Sequence, residues 1–216
     1  MTPGPEKTQP TGQGAASRAV AVGLTGGLGA GKTTALFMFR ELGAVTLSAD
    51  AIVHSLYLAP EIRAALVERF SRAILDDNGE VDRRRLRQAV KGDRTALQWL
   101  ERLTHPRVGA AIERAIREAP PGAVVVCEVP LLFEAGLRDR FQLVVTVEAS
   151  AGVRLSRSAD RFDEQGFSEF DSFQAGTERR VRGSDLVFYN DGGLENMRGF
   201  VREAYAGALA LAGADR

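Results

Sequence analysis

A glycine-rich loop that ends in lysine and threonine is the part of this sequence with the clearest chemistry. Gly26, Gly31, Lys32 and Thr33 have the spacing G-x-x-x-x-G-K-[ST], which is typical of phosphate binding. Glycines let successive backbone N–H groups converge on phosphate oxygens, and the following helix adds its positive end. We expect Lys32 to be an exposed cation that reaches the β- and γ-phosphates, and the Thr33 hydroxyl to bind Mg²⁺. The pattern therefore predicts a nucleoside triphosphate site made of Gly27, Leu28, Gly29, Ala30, Gly31, Lys32, Thr33 and Thr34.

Asp50 ends the second apolar run of the chain. Strand ends of a parallel sheet point toward the ligand crevice, so this carboxylate would face the γ-phosphate, where an acceptor hydroxyl must enter. Its ordinary pKa of about 3.9 is too low to deprotonate an alcohol in the ground state. We expect it to orient the hydroxyl and to accept the proton late in a loose transition state. A second interpretation stays open, in which Asp50 only caps the following helix.

Composition and missing motifs narrow the function class. No N-K-x-D motif follows the loop, which disfavours a GTPase, and a motor ATPase would usually have a longer chain and further motifs. The 28 Lys and Arg residues balance 28 Asp and Glu residues, so the net charge gives no reason to expect a nucleic acid or an anionic membrane as partner. One cysteine, Cys127, excludes an internal disulfide and suits the cytoplasm.

Five apolar runs alternate with helical patterns, which favours a parallel sheet covered by helices on both faces. Strands are predicted at residues 19–25, 45–48, 124–127, 143–147 and 186–188. Apolar residues recur at helical spacing in residues 32–42, 95–103, 108–119, 151–161 and 197–212. The predicted fold class is α/β, a P-loop NTPase or kinase fold with a five-stranded parallel sheet.

The segment between the second and third strands is too long for one crossover. We predict a domain over 18–216 with its core at 18–50 and 122–212, a helical substrate-binding insertion at about 51–121 and a lid at about 158–173. Such segments often cover substrates. The basic run "DRRRLR" in the insertion is either a solvated helix face or a contact for a substrate phosphate. Residues 1–17 are rich in Pro, Gly and polar residues, which predicts a flexible tail.

Several motifs, taken in order, resemble the dephospho-coenzyme A kinase family. They are "GLTGGLGAGKTT", "LGAVTLSADAIVHSLY", "LTHPRV", "VVVCEVPLLFEAGL" and "SDLVFYNDGG". The His-Pro pair and Pro-Leu-Leu-Phe-Glu are more specific than the phosphate loop alone. The resemblance implies that ATP, with Mg²⁺, phosphorylates the ribose 3′-hydroxyl of dephospho-coenzyme A, which is the last step of coenzyme A synthesis.

The resemblance also implies roles for single residues. Asp50 would be the catalytic base and Lys32 a catalytic cation, while Glu128 would share Mg²⁺ with Thr33. The acceptor would be bound by Asp50, His54, Tyr57, His105, Pro130 and Leu131. Without the resemblance, His105 would be interpreted as a core or helix-start histidine, and Pro106 suits the first turn of a helix.

Arg157 and Arg161 fall where the family has two lid arginines four residues apart. They would share one helical face and meet the phosphates, and Arg157 would also bind ATP. Surface solvation is the alternative for both. The sequence departs from the family here, because Phe162 stands in place of an aspartate and Phe170 in place of the arginine four residues before Gln174.

The turn "NDGG" follows the last strand, so Asn190 and Gly192 are predicted to line the adenine pocket. We therefore expect a dephospho-coenzyme A kinase that acts on a small molecule in the cytoplasm, as a monomer or weak homo-oligomer, with no nucleic-acid or membrane partner. Two alternatives remain open. One is another P-loop kinase of nucleosides or metabolites, and the other is a nucleotide-binding regulator without turnover, which the lid departures favour and the retained Asp50, Lys32 and Thr33 oppose.

Overall fold

One parallel sheet organises the protein. The computed structural model describes residues 18–160, 163–172, 174 and 176–214. The sheet has five strands in the order β2-β3-β1-β4-β5, all paired in parallel. The strands are β1 (Val20–Gly26), β2 (Val45–Ser48), β3 (Val124–Glu128), β4 (Leu143–Glu148) and β5 (Leu186–Tyr189). The predicted strands and the α/β fold class are therefore confirmed.

The helices fall into a group before β3 and a group after β4, apart from α1 (Lys32–Glu41), which joins β1 to β2. The first group is α2 (Ala49–Leu58), α3 (Pro60–Phe70), α4 (Arg83–Val90) and α5 (Arg94–Glu118). The second group is α6 (Ala151–Ser158), α7 (Glu164–Ser172), α8 (Thr177–Gly183) and α9 (Leu194–Ala214). The tail predicted at residues 1–17 lies outside the described residues.

Helix α5 corrects one sequence expectation. The two patterns predicted at 95–103 and 108–119 form one helix, which continues through Pro106 instead of beginning there. Two side chains near Pro106 donate hydrogen bonds to backbone carbonyls of the preceding turn. Thr104 Oγ1 donates to Leu100 O at 2.9 Å, and Arg107 donates to Leu103 O at 2.7 Å. Packing against other elements stabilises the helix and overrides the local signal.

Two apolar clusters cover the two faces of the sheet. Alternate residues of β1 point to opposite faces, because side chains alternate along a strand. Val22 and Leu24 pack with Phe39 of α1 and Met197 of α9. Ala21 packs on the other face, in a cluster with Ile112 of α5. Both faces of the sheet are therefore covered by helices, as predicted.

A third cluster lies among the helices that follow β2. Its buried members are Tyr57, Ile62, Leu66, Ile74 and Leu86, with Trp99 and Leu103 packed around them. These helices thus have a small core of their own beside the main sheet. In the chain segments 18–160, 163–172, 174 and 176–214, no helix is long and apolar enough to cross a membrane.

Candidate active site

The glycine-rich loop joins β1 to α1, and neighbouring elements lie close to several of its glycines, including Gly26 and Gly31. Gly26 has φ 143°, and a Cβ added there would lie 1.9 Å from the carbonyl oxygen of Val147 in β4. Gly31 has φ 106°, and a Cβ there would lie 2.6 Å from Nδ2 of Asn190. Both positions combine a backbone conformation that suits glycine with the close approach of another element. The loop is therefore shaped by β4 and by the segment after β5.

Lys32 is the first residue of α1 and is only 7% exposed. Its ammonium donates to the carbonyl oxygens of Gly26 at 3.0 Å and Gly27 at 2.9 Å. The expectation of an exposed lysine is therefore wrong, because the side chain folds back over its own loop. Burial lowers the pKa of Lys32, and this effect is opposed by the negative charges of Glu128 and Asp50. The cation thus lies where the loop would hold phosphates.

Thr33 and Glu128, the two predicted metal ligands, are brought together. The Thr33 hydroxyl donates to Oε1 of Glu128 at 3.3 Å, and Glu128 ends β3, the strand beside β1. Burial raises the pKa of Glu128, while Lys32 lowers it. A hydroxyl and a carboxylate oxygen fit the ligand preference of Mg²⁺, which normally keeps several waters and substrate phosphates as further ligands.

Asp50 lies in the first turn of α2, where it is exposed. The residue that caps this helix is Ser48, whose side chain accepts from the backbone N–H of Ala51 at 3.4 Å. The interpretation of Asp50 as the helix cap is therefore wrong. Its carboxylate interacts electrostatically with both Lys32 and Glu128, so it lies near the phosphate loop.

The residues expected to bind the acceptor lie on α2, on α5 and directly after β3. His54 is exposed one turn after Asp50, whereas Tyr57 is buried in the core of the neighbouring helices. His105 is half-buried on α5, which contacts α2. Pro130 and Leu131 follow β3, and Leu131 is an exposed apolar side chain. The sheet edge and the helices after β2 thus border Asp50, although Tyr57 has a mainly structural position.

A cavity of about 250 Å³ lies beside the start of α1. Five of the predicted ATP-binding residues line it together with two neighbours, and the full set is Gly31, Thr34, Arg157, Asn190, Gly192, Gly193 and Leu194. Asn190 is 5% exposed, and its Nδ2 donates to the carbonyl of Ala30 at 2.7 Å. Its amide therefore supports the phosphate loop from the wall of the cavity.

The structure describes only one of the two expected lid arginines. Arg157 is exposed on α6 and lines the nucleotide cavity. Arg161 and Phe162 lie outside the described residues, as does the side chain of Phe170. The roles of Arg157 and Arg161 in the chemical step stay predictions.

Arg154, which sequence reasoning missed, is the arginine that lies against the loop. It is 6% exposed and makes a two-pronged ion pair with Asp171 of α7, with 3.0 Å between Nη2 and Oδ2. Its guanidinium also reaches the carbonyl of Leu28 at 3.5 Å, and hydrogen bonding to Asp171 raises its pKa. Arg154 contacts the loop at Leu28, whereas Arg157, one turn later, lines the nucleotide cavity beside Gly31 and Thr34.

A buried ion pair and a glutamine behind the loop were also missed. Glu148 and Arg180 are 1% and 2% exposed and form a bidentate pair, with 2.5 Å between Nε and Oε1. A charged residue at the end of the apolar strand β4 was a signal for this pair in the sequence. Gln174 accepts from the backbone N–H of Leu28 through Oε1 at 2.8 Å. No sequence pattern indicated that contact, since the two residues are far apart in the chain.

Comparisons with known proteins agree with this geometry. The model of the family described as dephospho-CoA kinase matches residues 20–196. The dephospho-CoA kinase of Aquifex aeolicus is 33% identical over 186 residues, which cover 85% of this chain and 95% of that protein. That of Streptomyces avermitilis is 38% identical over 192 residues, covering 86% and 92%.

Solved structures are similar over the same span. A crystal structure from Thermus thermophilus has a TM-score of 0.76 at 28% identity and covers 88% of this chain and 98% of its own. Dephospho-CoA kinase from Campylobacter jejuni has a TM-score of 0.57 at 21% identity, covering 87% and 96%. Shikimate kinase from Acinetobacter baumannii, at 0.51 and 14% identity with coverage of 89% and 94%, shares the fold.

Proposed function

The chain belongs to the dephospho-CoA kinase family, and from that premise we propose that it transfers the γ-phosphate of ATP to the ribose 3′-hydroxyl of dephospho-CoA. The observation that carries the mechanism is the grouping of Lys32, Thr33, Glu128 and Asp50 at the carboxyl edge of the sheet. Cationic, metal-binding and proton-accepting groups thereby converge on the phosphate loop. This is the set that phosphoryl transfer through a loose transition state requires.

The loop would hold ATP through its backbone N–H groups and Lys32. The lysine ammonium has three N–H donors, two of which bond the carbonyls of Gly26 and Gly27. It can turn toward the phosphate oxygens, which are stronger acceptors because they are charged. Thr33 and Glu128 would hold Mg²⁺, which neutralises charge on the phosphates when bound. The cavity that contains Arg157, Asn190 and Gly192 would accept the rest of the nucleotide.

Asp50 would act on the acceptor. Because Ser48 caps α2, the exposed Asp50 carboxylate can accept a hydrogen bond from the 3′-hydroxyl and align its oxygen with the γ-phosphorus. The proton would move to Asp50 as the oxygen becomes bonded to phosphorus and acidifies. The helices after β2, which include His54 on α2 and His105 on α5, would form the acceptor-binding insertion. Asn190, Arg154 and Gln174 would support the phosphate loop from behind.

We propose that the enzyme acts in the cytoplasm on small molecules only.

Its single cysteine, Cys127, is buried in β3, where burial raises the thiol pKa to about 12. A thiol with that pKa stays protonated and unreactive at neutral pH. It therefore takes no part in the proposed reaction.

A coupled ADP-release assay tests the proposal directly. ATP and Mg²⁺ are supplied with dephospho-CoA or with a panel of nucleosides, and the phosphorylated position is identified by mass spectrometry and NMR. We expect ADP release to depend on dephospho-CoA and the product to carry a 3′-phosphate. ADP release with a nucleoside, and none with dephospho-CoA, would contradict the proposed acceptor and leave the ATP site intact.

A further inference from the structure

We propose that Asp191 is a positioning residue for nucleotide binding, which holds the start of α6 so that Arg157 remains in the wall of the nucleotide cavity. The inference rests on the proposed function, in which that cavity accepts part of ATP. Asp191 is exposed in the turn after β5, between Asn190 and Gly192, which both line the cavity. It acts on the nucleotide through α6.

Three parts of the chain form the cavity: the start of α1, the turn after β5, and α6, which contributes Arg157. Asn190 joins the first two parts. Its Nδ2 donates to the carbonyl of Ala30 at 2.7 Å, and its backbone N–H donates to the carbonyl of Glu148 in β4 at 2.6 Å. The third part is a helix of eight residues, and it needs an attachment of its own to keep its place in the wall.

Asp191 provides this attachment at the residue before α6. Its Oδ1 accepts from the backbone N–H of Ser150 at 2.7 Å, and Ser150 is the N-cap residue of the helix. The Ser150 side chain makes no capping bond itself. Hydrogen bonds from Ser150 lower the pKa of Asp191, and the positive charge of Arg157 lowers it further. The carboxylate is therefore ionised at neutral pH, which suits the positive end of a helix.

The fixed end of α6 determines where Arg157 lies. The backbone N–H of Arg154 donates to the carbonyl of Ser150 at 3.0 Å, so the first helical turn begins at the residue that is held. Arg157 is seven residues after Ser150, which is roughly 10 Å along the helix axis. The Arg154 guanidinium reaches the carbonyl of Leu28 at 3.5 Å and fixes the helix face that meets the phosphate loop. The two attachments together place Arg157 beside the cavity.

Adjacent residues of one turn thus hold two different walls of the cavity, Asn190 the phosphate loop and Asp191 the helix α6. Without the Asp191 carboxylate, α6 would keep its attachment through Arg154 and lose the one at its start. Arg157 would then occupy more positions, and nucleotide binding would have to order it. Ordering a side chain on binding reduces affinity. We therefore expect loss of Asp191 to weaken ATP binding through Arg157.

Titration calorimetry with a non-hydrolysable ATP analogue tests this role in three variants. Asp191→Ala removes the acceptor and should raise the dissociation constant about fivefold, the effect of one net hydrogen bond. Asp191→Asn keeps an Oδ1 acceptor and should stay within about twofold of the wild type. Ser150→Pro removes the N–H donor at a φ of −58°, which suits proline, and should weaken binding as Asp191→Ala does.

A double-mutant cycle with Arg157→Ala separates positioning from general stability. If Asp191 acts through Arg157, adding Asp191→Ala to Arg157→Ala should change the dissociation constant by less than about twofold. The matched control is Asp93→Ala. Asp93 is an exposed carboxylate that caps α5 by accepting from the backbone N–H groups of Thr95 and Ala96, both at 2.9 Å. Its loss should lower the melting temperature by about 2–4 °C, as in Asp191→Ala, with analogue affinity unchanged.

Three results would overturn the inference. One is wild-type affinity in Asp191→Ala. Another is a further fivefold loss when Asp191→Ala is added to Arg157→Ala, because the two residues would then act independently. The last is an equal loss in Asp191→Asn and Asp191→Ala, which would assign the effect to charge and not to the hydrogen bond. Failure of the proposed function would look different, since the wild type would bind the analogue and release no ADP with dephospho-CoA.

Discussion

Replacement of Gln174 by alanine should weaken ATP binding, because Gln174 holds the phosphate loop from outside. Its Oε1 accepts from the Leu28 N–H at 2.8 Å, while the carbonyl of the same residue receives Arg154 at 3.5 Å. The peptide groups on both sides of Leu28 are therefore oriented by side chains from other elements. Without Gln174, the Leu28 N–H would turn to water and the loop would lose part of its preset curvature.

The magnitude follows from the one short hydrogen bond that is lost. A neutral hydrogen bond contributes about 1 kcal/mol net, which corresponds to about a fivefold change in an equilibrium constant. The second contact of the side chain, from Nε2 to Gly26 O at 3.5 Å, is too long to add much. We therefore expect the dissociation constant for ATP to rise about fivefold in Gln174→Ala, and the melting temperature to fall by about 2–4 °C.

Gln142→Ala is the matched control. Gln142 Oε1 accepts from the Ala21 N–H, also at 2.8 Å, at the opposite end of β1 from the loop. Loss of this hydrogen bond should lower the melting temperature by a similar amount and leave ATP binding unchanged. Titration calorimetry with a non-hydrolysable ATP analogue and thermal unfolding measure both quantities. If both variants bind the analogue as the wild type does, Gln174 does not preset the loop. Tighter binding by Gln174→Ala would refute the reasoning too, by showing that its amide competes with phosphate.

Three further substitutions probe the rest of the site. Asp50→Asn should lower the single-turnover rate by about 10²–10⁴ with little change in ATP affinity or stability, because Ser48 keeps the helix cap; survival of most of the rate would contradict the base assignment. Glu128→Gln should weaken Mg²⁺ binding. In the wild type, Mg²⁺ affinity should fall as pH drops through the pKa of Glu128, which burial holds above its ordinary 4.5, and Mg²⁺ titrations at several pH values should show no such dependence in the variant. Arg180→Met should lower the free energy of unfolding by about 3–5 kcal/mol, because it leaves Glu148 charged and buried; urea denaturation should show recovery when Glu148→Leu is added, and a stable single variant would argue against the pair.

The strands and the phosphate loop could be predicted because their signals are local. An apolar run such as that of β3 can be buried on both faces only inside a covered sheet, and the loop chemistry is contained in the residues from Gly26 to Thr34. The order of motifs along the chain was enough to predict the fold class. Asp50 could be predicted as a site residue because parallel strands end at one edge of the sheet, whereas Glu128 was implied by the family resemblance.

Tertiary structure alone decided the details that depend on which faces meet. In the sequence, Pro106 predicts the start of a helix. In the structure, α5 continues through it, because packing outweighs the backbone hydrogen bond that the proline cannot donate. Lys32 is buried because the loop curls around its ammonium. Arg154 and Arg157 lie on one helix, and their spacing does not tell that Arg154 contacts Leu28 while Arg157 lines the nucleotide cavity. Helix α6 approaches the loop so closely that a Cβ on Gly29 would come within 2.5 Å of the Arg154 carbonyl. This steric fit between distant segments does not follow from the local sequence.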